Sequence, residues 1–264
     1  GSASGWTLRT PTHTIHTTVK SKSLEAQLAP FAAAALADQT SSIATLPRPD
    51  TPLEMYVAAN RPQWATLTTR LMRERAPEFL RIDRGGFTAR GTAVLFDIGG
   101  RDTLALLAHE HWHAYTQTTF RQPLPTWLEE GLGTYFEGFV TDRTQPGGVR
   151  FLPWANVERF DQLRDAEAAG TIMWLPELLV TTPGGMLAES QDSTRGYYAQ
   201  LWALVHFLME HDNGRHRTAV EMFTSEFDGD LNRAQREYHT FVRDIVRVGA
   251  KDLIVRGESP VTLP

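Results

Sequence analysis

His109, Glu110 and His113 stand in the order His-Glu-x-x-His within LLAHEHWHAY, residues 106–115. Neutral imidazoles bind divalent transition ions and a neighbouring carboxylate can take a proton from water, so this trio points to metal-assisted hydrolysis. On a helix, two histidines four residues apart differ by about 40° in azimuth and about 6 Å in height, which lets both rings meet one ion. Glu110 falls about 60° from His113 on the adjoining part of that face, within reach of a water on the ion without having to bind it. A catalytic Zn²⁺ keeps one position open and lowers that water's pKa to about 7. His111 lies about 160° from the pair and is expected to be a bystander or to support the site from behind, while Trp112 is expected in the core.

The chain has 264 residues and no cysteine, which excludes disulfides, thiolate catalysis and cysteine zinc sites and leaves the ligands to histidine and carboxylate. A tetrahedral site needs a third protein donor. PTWLEEGLGTYFEG, residues 125–138, offers two adjacent glutamates. Thr126 followed by Glu129 spells a capping box, which gives Glu129 a local task at a helix start and leaves Glu130 as the candidate ligand. On this helix Trp127, Leu128, Gly131, Leu132, Tyr135, Phe136 and Phe139 fill one arc, while Glu130, Thr134 and Glu137 share a polar stripe that is either solvated or faces a cleft. Thr134 and Glu137 are thus candidates to support the ligand, Glu137 being equally readable as a surface charge. Gly131 and Gly133 each cost about 1 kcal/mol relative to alanine in a helix, which suggests that another backbone comes close there.

These helices need a scaffold. THTIHTTV (12–19), PLEMYVAA (52–59) and GTAVLFDIGG (91–100) read as strands, with His13 and His16 as ordinary surface or edge residues of the first. Between them, SLEAQLAPFAAAALADQTSSIA reads as a helix that Pro30 must kink or restart, and NRPQWATLTTRLMRERA as one capped by Asn60. From residue 103 the expected elements are helices alone: 103–118, 126–139, 156–169, 174–181, 195–211, 214–227 and 231–248. The expected class is therefore α+β, a single zincin-like domain over 1–264 with a mixed strand and helix lobe over about 6–122 and a helical lobe over about 123–255. Apolar residues at 41% and charged residues at 22% suit a globular chain, and a net charge of −5 without a long basic run argues against a nucleic-acid partner. No apolar run reaches the roughly 18 residues needed to span a bilayer.

His-Glu-x-x-His followed by WLEEG resembles the gluzincins, zinc metallopeptidases of the thermolysin and alanyl-aminopeptidase lineage, and the longer match of PLPTWLEEGLGTYFEG, LLAHEHWHAYTQ and YYAQLWALVHFLME resembles the peptidase-MA-like proteins of bacteria, largely uncharacterised and exported. The resemblance implies Zn²⁺ held by His109, His113 and Glu130, with Glu110 as general base. It also implies a tyrosine that hydrogen-bonds the oxyanion, mapped onto Tyr198 in YAQLWALVHFL, with Tyr197 as the neighbour able to take the role. Arg195 is a candidate for a substrate carboxylate or else a surface charge at a helix start. His206 is expected to pack, and His211, His216 and His239 to face solvent. The aminopeptidase branch holds the substrate amine with an acidic strand, and GTAVLFD lacks that acid. Ala93 in this strand then marks a place where an extended peptide pairs by β-addition.

The expected activity is hydrolysis of peptide bonds in a peptide or protein substrate. A catalytically silent zinc-containing binding or scaffold domain, and a metallohydrolase of a non-peptide amide or ester, remain as alternatives. Gly1-Ser2 has the look of an expression remnant, and the resemblance implies an extracytoplasmic protein, secreted, periplasmic or lipid-anchored.

Overall fold

The computed structural model describes residues 5–217 and 231–261, so the part of the expected helix 214–227 that covers 218–227 lies outside the described residues. Two compact units are present: Gly1–Pro123 with Thr141–Arg150, and Leu124–Val140 with Phe151–Pro264. The class is α+β, strands and helices in the N-terminal part and mainly helices in the C-terminal part.

The first unit is built on a five-stranded sheet of β1 (Trp6–Arg9), β2 (His13–Thr17), β3 (Leu53–Ala58), β4 (Gly86–Ala89) and β5 (Thr92–Phe96), in the order β1-β2-β3-β5-β4. β2, β3 and β5 run parallel, and antiparallel β1 and β4 form the two edges. The three parallel strands are those read from the sequence. The two edges are only four residues each, too short for alternation to show. Parallel neighbours require crossover connections. Helix α1 (Lys22–Gln39) joins β2 to β3, and α2 (Arg61–Met72) with the short α3 (Ala76–Phe79) follows β3. The Asn60 side chain caps α2 by accepting from the Gln63 amide, as expected.

Pro30 does not restart α1, which runs unbroken from Lys22 to Gln39. A proline inside a helix costs about 3 kcal/mol. Here Leu24, Leu28, Phe31, Ala32, Ala35 and Leu36 bury one face of the helix, and that packing offsets the lost hydrogen bond.

Two turns then aim α4 (Gly100–Thr119). Arg90 (φ 54°) and Gly91 (φ 74°) close the β4–β5 hairpin with two left-handed residues, the geometry that follows the twist of paired strands. The Gly91 amide donates to Gln117 Oε1 at 3.0 Å, and a Cβ here would come within 2.6 Å of Thr118 Oγ1, so only glycine lets the hairpin lie this close to α4. At the other end, Asp97 Oδ1 accepts from the Gly99 amide and the Thr103 hydroxyl, both at 2.9 Å, and ties the loop before α4 to its first turn. Leu107 through Thr116 are then buried without interruption. A helix apolar on one side only would leave half of these in solvent. α4 is enclosed, and its polar side chains need partners inside the protein.

In the second unit, α5 (Thr126–Tyr135), α6 (Val157–Ala168), α7 (Leu175–Val180) and α8 (Pro183–Glu189) precede the long α9 (Gln191–Gly214), followed by helices Leu231–Ile245 and Ala250–Arg256. α5, α6 and α8 pack on α9, whose residues Ala199 to Met209 are all buried. A Cβ on Gly131 would stand 2.8 Å from Val205 Cγ2 and 3.3 Å from the Leu201 carbonyl, so the glycine in α5 admits α9 at close range. The run of helices is broken by one hairpin absent from the sequence reading, β6 (Phe139–Thr141) with β7 (Val149–Phe151). No described helix is long and apolar enough to cross a membrane.

Candidate metal centre

The His109 and His113 rings sit one turn apart on α4, centroids 4.8 Å apart and planes at 75°. Their Nε2 atoms are 3.1 Å from each other. Two donors held about 2.1 Å from one tetrahedral ion stand about 3.4 Å apart, so the pair is already close to the spacing for ligation. Glu130 completes a group in which one ligand atom from each of His109, His113 and Glu130 lies within 4.8 Å of the others. Two imidazoles and one carboxylate are a donor set that suits a divalent transition ion, and these residues can hold one.

Glu130 holds this place for a reason other than the one expected. The capping box of Thr126 and Glu129 does not form. Pro125 is the N-cap, Thr126 is already helical, and the Pro125 carbonyl accepts from the Leu128 and Glu129 amides at 2.9 Å. The capping argument therefore does not separate Glu129 from Glu130, and it is Glu130 that belongs to the group.

Glu110 is 5% exposed and lies against the edge strand β4. Thr88 Oγ1 donates toward Glu110 Oε2 at 2.8 Å and toward the Glu110 carbonyl at 3.0 Å. A four-residue strand containing one glycine gives no sequence signal for this contact.

The polar stripe of α5 turns out to be interior. Thr134 is fully buried and spends its hydroxyl on the Gly131 carbonyl of its own helix, 2.7 Å away. Glu137 is buried too, gripped by Arg159 through Nε at 2.9 Å and Nη2 at 2.8 Å and by Asn156 Nδ2 at 2.8 Å. It is an internal carboxylate with a fixed cation, and no surface charge. Burial pulls the Arg159 guanidinium down, and the Glu137 carboxylate more than offsets this and holds it above its ordinary value. Arg159 lies 5.2 Å from the centre of the Tyr198 ring, a cation under a phenol. Nothing in the spacing of 137, 156, 159 and 198 announces this cluster.

The two candidate tyrosines differ. Tyr197 is fully buried and donates its hydroxyl to the Thr181 carbonyl at 3.0 Å, and burial together with the Glu130 charge raises its pKa. Tyr198 is only partly buried. Arg195 is exposed and pairs with Asp192 one turn away. Ala93 contradicts its expected use: it is fully buried on β5, whose two edges are taken by β3 and β4, so no further strand can add there. The edges of the sheet belong to β1 and β4.

His13 also contradicts its reading as a surface residue. It is fully buried, with Nε2 2.8 Å from His111 Nε2. Gln39 Nε2 donates to the Ala108 carbonyl at 2.9 Å, which turns Gln39 Oε1 toward His111 Nδ1 at 2.6 Å. His111 Nδ1 must therefore donate, its Nε2 accepts from His13 Nε2, and His13 Nδ1 accepts from the Thr12 hydroxyl at 2.8 Å. This is a complete chain for two neutral rings. Burial lowers the His13 pKa to about 4, and burial with His13 as neighbour holds His111 well below its ordinary value. His206 packs as expected, stacked on Trp154 at 3.5 Å. His211, His216 and His239, expected in solvent, are half-buried, the first two against Phe207 and the third near Trp174.

Fold and site together define an α+β protein with a His/His/Glu group able to hold a metal ion. Residues 104–225 match a family described as a protein of unknown function, DUF1570, and that stretch contains His109, Glu110, His113, Glu130, Tyr197 and Tyr198. No curated protein matches the chain.

Proposed function

We propose that the chain is a zinc-dependent metallopeptidase of the gluzincin type. The observation that carries this reading is the convergence of His109, His113 and Glu130 within 4.8 Å, next in sequence to the carboxylate of Glu110. A bound Zn²⁺ supplies Lewis acidity, polarising a carbonyl and making water acidic near neutral pH. Glu110 takes a proton from the attacking water and later delivers it to the leaving amine. Tyr198 donates a hydrogen bond to the oxyanion, and the Arg159 cation 5.2 Å from its ring centre strengthens the phenol as a donor. Tyr197 is less suited to that role because Thr181 already holds its hydroxyl. An extended peptide has the outer edge of β4 to pair with, and Thr88 on that strand touches Glu110.

The test is metal analysis with a digest of a mixed quenched-fluorescence peptide library. About one zinc per chain is expected, with cleavage abolished by a chelator and restored by zinc. Glu110→Gln is expected to keep the zinc and lose turnover by on the order of a thousandfold or more. A Glu110→Gln protein with undiminished turnover, or a chain that binds no zinc, overturns the reading.

A further inference from the structure

We propose that Thr88 is a positioning residue for Glu110, with Gly86 clearing the space into which the Glu110 side chain fits. The inference rests on the reading of Glu110 as the base. Residues 86 and 88 alternate with 87 along β4, so they share one face of the strand while Phe87 takes the other. Phe87 packs there with Phe79 and Trp64. On the face toward α4, two independent features meet the same side chain. A Cβ on Gly86 would come within 2.8 Å of Leu95 Cβ and 3.0 Å of the Val94 carbonyl on the paired strand, and within 3.2 Å of Glu110 Cγ, so the glycine relieves β5 and also leaves the Glu110 side chain room against β4. Two residues on, the Thr88 hydroxyl reaches Glu110 Oε2 at 2.8 Å and the Glu110 backbone carbonyl at 3.0 Å.

Both of those atoms are acceptors, so the threonine hydrogen is shared between them and spans the backbone and the carboxylate of one residue. That arrangement fixes the side-chain torsions of a glutamate, a group with three rotatable bonds that is otherwise costly to hold still. A base must be in place before its water arrives, and a loss of alignment of about 1 Å is enough to slow a reaction. A hydrogen bond to a charged oxygen is among the stronger kinds, which suits it to this task. The hairpin turn at Arg90 and Gly91 keeps β4 at this distance through the Gly91 contact with Gln117 of α4.

The test compares zinc-loaded wild type, Thr88→Val and Thr88→Ser. Valine keeps the shape and removes the hydroxyl, whereas serine keeps the hydroxyl. On a mixed quenched-fluorescence peptide library, Thr88→Val is expected to bind zinc as wild type does and to lose about tenfold in kcat with KM little changed, and Thr88→Ser to recover most of the loss. A merely structural role would lower the melting temperature and leave kcat of the folded fraction alone. Turnover of Thr88→Val within about twofold of wild type overturns the proposal. Crystal structures of the three proteins decide it without any activity: the Glu110 carboxylate is expected to leave its place in Thr88→Val and keep it in Thr88→Ser, and an unmoved carboxylate in Thr88→Val overturns the proposal. Wild type that cleaves no peptide would remove the peptidase reading, while the position of the carboxylate in the three crystals would still decide whether Thr88 holds it.

Discussion

One helix carries two kinds of histidine. His109 and His113 present Nε2 atoms 3.1 Å apart, and on the opposite side His111 meets His13 with Nε2 atoms 2.8 Å apart. Spacing between rings therefore does not separate a metal site from a packed interior. Burial does not separate them either, since all four are below 9% exposed. The difference lies in the rest of each ring's surroundings. His13 and His111 have a hydrogen-bond partner at each remaining nitrogen, Thr12 and Gln39, and their chain ends on a backbone carbonyl. His109 and His113 share a convergence point with a carboxylate, the group the ion would need as third donor. A pair that hydrogen-bonding alone can complete is interior structure. A pair that shares its aim with an anionic oxygen is a group that can hold a metal ion.

The largest effect that would break this contrast is on metal binding. His113→Ala is expected to lower zinc affinity by on the order of a thousandfold and to abolish turnover, with Glu130→Ala close behind, both read by titration with a competing chelator. His111→Ala, two residues from either ligand, is expected to leave zinc at about one per chain and instead to cost about 4 kcal/mol in urea unfolding, because it opens a cavity and orphans His13 Nε2 and Gln39 Oε1. If His111→Ala also emptied the site, the two sides of α4 would have to be treated as one unit.

How far this was readable from the chain follows from what each feature depends on. The grouping of His109, His113 and Glu130 is legible because two of its members are one helical turn apart and the third sits on a polar stripe of a nearby helix, and both facts are local. The expected reason for choosing Glu130 over Glu129 is wrong, since Pro125 displaces Thr126 from the cap position. His13 is illegible in principle: its partner His111 is 98 residues away, and a histidine on a β-branched strand reads the same whether that face meets solvent or a helix. The same holds for Glu137, whose burial is decided by Asn156 and Arg159 on another helix. Edge strands β1 and β4 escape because four residues carry no measurable period, and β4 matters because it brings Thr88 to Glu110.

Acid is expected to act on the buried His13–His111 pair with a somewhat smaller effect than His111→Ala. His13 has a folded pKa of about 4 against an ordinary value of 6.5, lowered by burial. The folded state thus binds the proton more weakly than the unfolded chain, and between these two values the unfolded chain carries more protons. Stability from this group is fully present above about pH 6.5 and falls as pH drops through the window from about 6.5 to about 4, by roughly 3 kcal/mol over the whole range. The measurement is the urea midpoint of metal-free protein across that window, set against His13→Gln, which removes the titrating ring. A flatter profile in His13→Gln is expected. If the two profiles coincide, His13 takes its proton in the folded protein as easily as in the unfolded chain, and the closed chain from Thr12 to Ala108 does not hold it neutral. Using metal-free protein separates the two imidazole pairs, since acid would otherwise also release the ion from His109 and His113 and load both effects onto one curve.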